Sequence, residues 1–353
     1  MPSDDNPYVS PPPIADSSHD AQPAWSGALF AMLSAVSYSI ANVALKRLST
    51  DELRVDQMSE LDWSVWVAAI KAMPVAVISW TLIAYRTRRG LPALPPRNLL
   101  LPLLATGLVM QVGGNVMFQW ALSMGGLALS VTLCFGTLIT GGAVLGRIVL
   151  GEPISRRMAV AIVVLISAIG LASVSAQQAS QSVRQDEATL LIVLGAVVTA
   201  CASGLAYAAG GVMIRRTVTR NVSLSATLVV ISCTGVLGLG SWALAASGPL
   251  LLWSTSAEAL TLMMVAGVFN AAAFYAVSKA LQLIPVVRVN TLNSSQVVMG
   301  GLAGVLIFGE SLSVWLVAGI VLTLVGLTLV QKQSRSRSRV PPLAGDRSSH
   351  VRR

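Results

Sequence analysis

Apolar residues run along this chain in long uninterrupted stretches, with few of the one-in-two or one-in-four alternations that mark a water-facing surface. At 1.5 Å rise per helical residue, about 20 apolar residues span the roughly 30 Å hydrocarbon core of a bilayer. Ten stretches reach that length, roughly 25–47, 64–85, 99–121, 127–149, 156–176, 189–214, 223–246, 257–281, 286–307 and 312–331. The thinnest polar breaks are "SMGG", between the third and fourth, and "QLIPV", between the eighth and ninth. The pattern predicts an all-α membrane protein with ten transmembrane helices.

Composition agrees, with 54% hydrophobic and only 11% charged residues in 353 and a mean hydropathy of +0.72. Soluble domains carry about 25% charged residues, and one soluble core could not hide this much apolar surface. The basic residues then orient the chain, because cytoplasmic loops collect Lys and Arg. With both termini inside, nineteen basic residues fall on the cytoplasmic side and only Lys46, Arg47, Arg54 and Arg184 outside, with Lys71 inside a helix. The net charge of +9 is thus an orientation signal and implies no nucleic-acid partner. The expected location is the cell membrane, multi-pass, with both termini cytoplasmic.

Residues 1–24 are rich in Pro, Ser and Asp without a basic leader, and read as a disordered cytoplasmic tail. Residues 332–353 read as a basic, disordered cytoplasmic tail, a solvated positive flank in preference to a grip on anionic membrane lipid. Cys134, Cys201 and Cys233 are odd in number and lie in apolar segments, so they imply neither a disulfide framework nor a metal site. His19 and His350 lie in the tails. No cofactor is expected.

Two short segments repeat. "VLGEPISR" at 149–156 and "IFGESLSV" at 307–314 place Gly151-Glu152 and Gly309-Glu310 158 positions apart, each between apolar runs. Two five-helix halves, 25–176 and 189–331, joined by an external linker at 177–188, therefore echo one another. Five is odd, so the second half enters the membrane from the opposite face. Inverted repeats of this kind characterise secondary transporters, with substrate held near the midplane between the halves.

The paired Gly-Glu steps, with "SYSIANVALKRL" in the first stretch, "AAIKAMPVAVISWTLIAYRTRR" in the second and "AYAAGGVMIRR" in the sixth, resemble the EamA domain of the drug/metabolite transporter superfamily. The resemblance covers about 300 of the 353 residues. It implies a transporter fold of ten helices in two inverted repeats, with Lys71 at the position of the family's usual basic residue. The chain departs from that pattern in lacking proline within its fourth and ninth stretches.

Glu152 and Glu310 read as structural caps, accepting from free N–H groups that open the helix following each turn, with Gly151 and Gly309 allowing close approach. Polar residues inside the apolar stretches carry the functional reading, since a buried Lys costs about 2.5–3.5 kcal/mol and usually faces a cavity. Lys71 lies near mid-membrane. Gln111, Asn115 and Gln119 form one stripe at i, i+4, i+8, and Asn290, Asn293 and Gln296 another at i, i+3, i+6. Tyr38, Asn42, Asn270, Tyr275 and Lys279 complete the expected substrate-binding set. No Asp or Glu lies near the midplane, which disfavours organic cations.

The expectation is a secondary active transporter of a small polar metabolite, an amino acid or organic acid, working by alternating access and exporting its solute. The competing readings are a facilitative channel for small neutral solutes and a non-transporting scaffold or sensor. Enzymatic activity is not expected, because the apolar stretches hold no nucleophile–base pair. The expected partners are a small-molecule substrate, membrane lipid and, as an admissible assembly, a second copy of the chain.

Overall fold

The computed structural model describes residues 24–337, apart from 152–153, 155, 157–158, 169–170, 172–187, 221 and 311–312. Glu152, residues 177–187 of the linker, residues 1–23 and residues 338–353 lie outside the described residues, whereas 332–337, expected as the start of the disordered C-terminal tail, continue the last helix. In chain order the helices are α1 (Ala24–Leu48), α2 (Glu60–Arg88), α3 (Arg97–Leu108), α4 (Met117–Leu150), α5 (Ala159–Ala168) and α6 (Ala188–Val218). There follow α7 (Leu224–Cys233), α8 (Gly240–Ser247), the single turn α9 (Leu251–Ser254), α10 (Ala257–Leu283), α11 (Val286–Asn293), α12 (Ser295–Phe308) and α13 (Val314–Arg337). Two π-helical segments, Val109–Val116 and Thr234–Leu239, join α3 to α4 and α7 to α8.

Among the described residues, seven helical stretches are long and apolar enough to cross a membrane, and Ala159–Ala168 and Val314–Gly326 are shorter apolar helices. Their outer faces carry large apolar side chains in the open, such as Leu101 at 75% and Leu306 at 79% exposure. Water would not tolerate that much exposed hydrocarbon, whereas lipid does. The fold is that of a multi-pass helical membrane protein.

Residues 97–150 form one helical run of 54 residues. At 1.5 Å per residue this is about 80 Å, more than twice the hydrocarbon thickness. The run turns at Gly126, where φ is +76° and ψ 176°. The turn falls at the end of the "SMGG" segment. Only glycine takes up that backbone region readily.

Helix starts follow local chemistry. Ser59, Ser223 and Ser256 each accept from a backbone N–H three residues on, at Asp62, Ala226 and Ala259. Gly151 and Gly309 end α4 and α12 in left-handed conformation, with φ of 70° and 64°. The glycine of each Gly-Glu step is thus a C-terminal cap, a role that needs positive φ. Close approach of neighbouring backbones is not its function.

The two largest apolar clusters lie towards opposite ends of the bundle. One gathers Leu45, Leu48, Trp63, Trp66, Leu122, Leu127 and Val131 at the end where α1 finishes and α2 begins. The other gathers Ala31, Met110, Ile214, Ile231, Leu281 and Ile284 towards the end where α1 begins and α10 finishes. These are called below the Leu48 end and the Leu283 end.

Candidate functional site

Between the clusters lies a cavity with about 1080 Å³ of space between its walls, open solvent at its mouth included. Its walls come from α1, α2, α4, α6, α7, α10, α11 and α12 and from the first π segment. Lys71 is the only Lys, Arg, Asp or Glu among the described residues lining it. That side chain is 2% exposed, and its ammonium donates to Asn115 Oδ1 at 2.7 Å. The same oxygen accepts from the Tyr207 hydroxyl at 2.8 Å. Asn115 Nδ2 donates to Gln111 Oε1 at 2.6 Å, and Gln111 Nε2 donates to the Ile231 carbonyl at 3.1 Å. A chain of polar groups thus runs from α2 through the first π segment to α6 and α7.

The cation in this chain has an amide oxygen as its partner and no described carboxylate. Three N–H donors sit on the ammonium, and one is committed to Asn115. The neighbouring Pro74 lacks the N–H that would bond to the Ile70 carbonyl, which adds a further acceptor one turn away. Across the cavity Asn42 Nδ2 points at Gln296 Oε1 at 3.4 Å. Buried Gln296 Nε2 and Asn293 Oδ1 have no described hydrogen-bond partner. The site offers one positive charge, amide donors and amide acceptors, set among Phe118, Phe135, Phe274 and Met110.

Of the residues singled out from the sequence, Tyr38, Asn42, Lys71, Gln111, Asn115, Asn270, Asn293 and Gln296 line this cavity, as does Asn290. Three do not. Gln119 donates instead to the Leu45 carbonyl at 3.0 Å and faces a small crevice with Ser49 and Trp63. The π segment explains the loss, because its wider turns rotate the face that follows and a stripe spaced by four cannot persist through it. Tyr275 is 41% exposed and points away from the bundle, one position beyond the cavity-lining Phe274. Lys279 is half-buried and donates to Gln282 Oε1 at 3.2 Å on its own helix.

Glu310 is a cap, but of a different helix from the one expected. Its Oε1 accepts from Leu127 N at 2.6 Å and its Oε2 from Ala128 N at 3.0 Å. Those amides open the second part of α4, just past the Gly126 turn. On the other side of that turn Lys46 donates to the Leu122 carbonyl at 3.0 Å.

Sequence reasoning passed over Tyr207, although a signal existed. Tyr38 stands eight residues before Lys46, and Tyr207 eight before Arg215. Both tyrosines line the cavity. Arg215 donates to the Leu281 carbonyl and, at 3.2 Å, to that of Ile284, where α10 ends. Lys46 and Arg215 therefore make matching bonds to Leu122 and Leu281, each the second residue of an Ala-Leu pair. The phenylalanines carried no such signal, since an aromatic residue in an apolar stretch reads as core or lipid contact.

Lys46, Arg215 and Glu310 thus all bond to backbone groups at helix interruptions around one central cavity. Residues 194–331 match the EamA-like transporter family. This EamA-like region takes in most of α6 and all of α7 to α12, and the family it matches is one of transporters. No curated protein matches the chain. Among solved structures, 27 chains match. One, described only as "Crystal structure of protein", superposes with a TM-score of 0.56 at 16% identity, covering 89% of this chain and 99% of its own. Likeness at that identity speaks to fold alone, and it extends well beyond the EamA-like region into the first half.

Proposed function

We propose that the protein is a secondary active transporter that moves a small polar metabolite bearing a carboxylate, of the amino acid or organic acid class, and exports it by alternating access. The observation that carries this reading is Lys71, a buried ammonium on a cavity wall with no described carboxylate beside it. A charge held at that depth is costly unless it faces a pathway or a partner. The substrate's carboxylate supplies the partner, the amides of Asn42, Asn290, Asn293 and Gln296 hold its remaining polar atoms, and the phenylalanines take its carbon skeleton.

In this reading the chain crosses the membrane ten times as two inverted five-helix repeats, 25–176 and 189–331. Support comes from the repeated Gly-Glu step, from the repeated spacing of Tyr38 to Lys46 and Tyr207 to Arg215, and from the turn at Gly126. That turn divides a helical run too long for a single crossing. The cavity then sits between the repeats, where such transporters bind substrate. The nineteen-to-four distribution of basic residues supports cytoplasmic termini, and the proposed location is the cell membrane.

The test has two stages. Solutes are compared inside and outside cells with and without the protein, and any solute that changes is offered to proteoliposomes containing the purified chain. Saturable uptake that accelerates when the same solute is preloaded inside is the expected result. Flux that rises linearly with concentration supports a channel instead, and absence of flux for every altered solute rejects the transport reading.

A further inference from the structure

We propose that Glu310, Lys46 and the turn at Gly126 form a latch that holds the Leu48 end of the cavity shut, and that the Glu310 carboxylate leaves the Leu127 and Ala128 amides when that end opens. The proposal rests on the alternating-access reading above.

A helix start is normally capped by the side chain at its own N-cap position. The second part of α4 cannot do this, because Gly125 and Gly126 stand there. Its free N–H groups are covered instead by a residue 183 positions along the chain at Leu127 and 182 at Ala128. The seat is shaped for a carboxylate. A Cβ on Gly126 would meet Glu310 Oε1 at 2.8 Å, and one on Gly304 would meet Oε2 at 2.5 Å. The carbonyl released on the far side of the turn, at Leu122, is taken by the Lys46 ammonium, which also attracts the Glu310 carboxylate through space. Two charged side chains from α1 and from the α12–α13 turn thereby close over one interruption in α4.

The same three elements carry Asn42, Phe118, Phe135 and Gln296 on the cavity wall. Towards the Leu48 end the α1 lining stops at Asn42, and beyond it Leu45, Leu48, Leu122, Leu127 and Val297 are all buried. Towards the other end the lining continues to Ile214 and Leu281, close to where α6 and α10 finish. Glu310 thus ties α4 to the α12–α13 turn above the closed end. Opening this end admits water, which can satisfy the same amides in place of the carboxylate. Neither arrangement leaves an orphan N–H group, which is what a two-state element requires.

The experiment reads accessibility and needs no substrate. Cys134 lines the cavity and is buried. In a chain carrying Cys201→Ala and Cys233→Ala, this native thiol is labelled with a small membrane-impermeant methanethiosulfonate in sealed vesicles of each orientation. Glu52→Cys, in a chain otherwise free of cysteine, identifies the face that belongs to the Leu48 end. From that face the labelling rate of Cys134 is expected to rise about tenfold in Glu310→Gln and to rise in Glu310→Asp, because a carboxylate bond is roughly twice as strong as a neutral one and the shorter Asp cannot reach both amides. Folded protein is checked by gel filtration in detergent. An unchanged rate in both folded variants overturns the latch, even if the protein carries solute. Failure of both variants to fold also overturns it and leaves Glu310 as a structural cap. Faster labelling in a protein that moves no solute retains the latch and rejects the transport reading.

Discussion

Lys71 and Tyr207, on helices 136 positions apart in sequence, donate to one oxygen, Asn115 Oδ1, at 2.7 and 2.8 Å. The amide cannot turn over without losing both bonds, since its NH₂ end offers only donors. Its remaining donor is aligned by Gln111, which is itself anchored on the Ile231 carbonyl. The ammonium is thus held in one direction by groups from three other elements, and its position in the cavity is set by α6 as much as by its own helix. Such pre-orientation spares the cost of ordering a flexible lysine when solute arrives.

Lys71→Met should therefore leave the amount of folded protein in the membrane unchanged or higher, because an apolar side chain of similar length replaces a buried charge. Transport of a carboxylate-bearing solute should fall about 10- to 100-fold, the scale of losing a charged hydrogen bond worth about 1.5–3 kcal/mol. Lys71→Arg should retain part of it, since charge survives while geometry changes. Initial uptake at equal membrane protein measures all three. Undiminished uptake by Lys71→Met removes Lys71 from the site.

Tyr207→Phe removes a single hydroxyl and keeps the ring that packs beside Gly114. With one neutral hydrogen bond lost, worth about 0.5–1.5 kcal/mol, KM for the solute should rise roughly 2- to 10-fold with little change in maximal rate. A fall in maximal rate at unchanged KM would show that Tyr207 acts elsewhere in the cycle.

Gly126→Ala tests the turn in α4. The backbone there is nearly reserved for glycine, at a cost of about 1–3 kcal/mol for other residues, and the new methyl group would displace the Glu310 carboxylate. Its melting temperature in detergent should fall by several degrees. Gly240→Ala, at helical φ and with open space around it, should leave the melting temperature nearly unchanged. Equal melting of wild type and Gly126→Ala would contradict the geometry of this turn.

Orientation can be read with single cysteines in an otherwise cysteine-free chain. Glu52→Cys should react with an impermeant maleimide added to intact cells, whereas Arg89→Cys should react only after permeabilisation. The reverse pattern would invert the topology and, with it, the face to which the latch belongs.

Much of the architecture was legible because lipid imposes a simple length rule on apolar runs. The stretches 25–47, 64–85, 189–214 and 257–281 lie within α1, α2, α6 and α10, since every backbone polar group in hydrocarbon must bond within its own helix. Lys71 stood out for the same reason, as a charge is costly wherever such a helix places it. Length could not show where helices unwind. The π segments at Val109–Val116 and Thr234–Leu239 leave no mark in the apolar pattern, and the first turns Gln119 away from the face it would share with Gln111 and Asn115 in a regular helix.

The repeated Gly-Glu step was visible as letters, and its glycines act locally as left-handed caps. The partner of Glu310 was not visible, because a carboxylate can satisfy any free N–H group that folding brings within reach, and Leu127 lies 183 residues away. Tyr275 and Lys279 failed for a related reason. On a helix with apolar residues all round, polarity marks no face, and only the packing of α10 against α1 and α2 decides that Asn270 and Phe274 look inward while Tyr275 looks out. Sequence alone determined that the chain is a bundle of membrane helices with a rare buried cation, because water and hydrocarbon discriminate residue by residue. Tertiary structure decided which side chains surround that cation and which charge closes the turn in α4, because those depend on how whole helices rotate and dock.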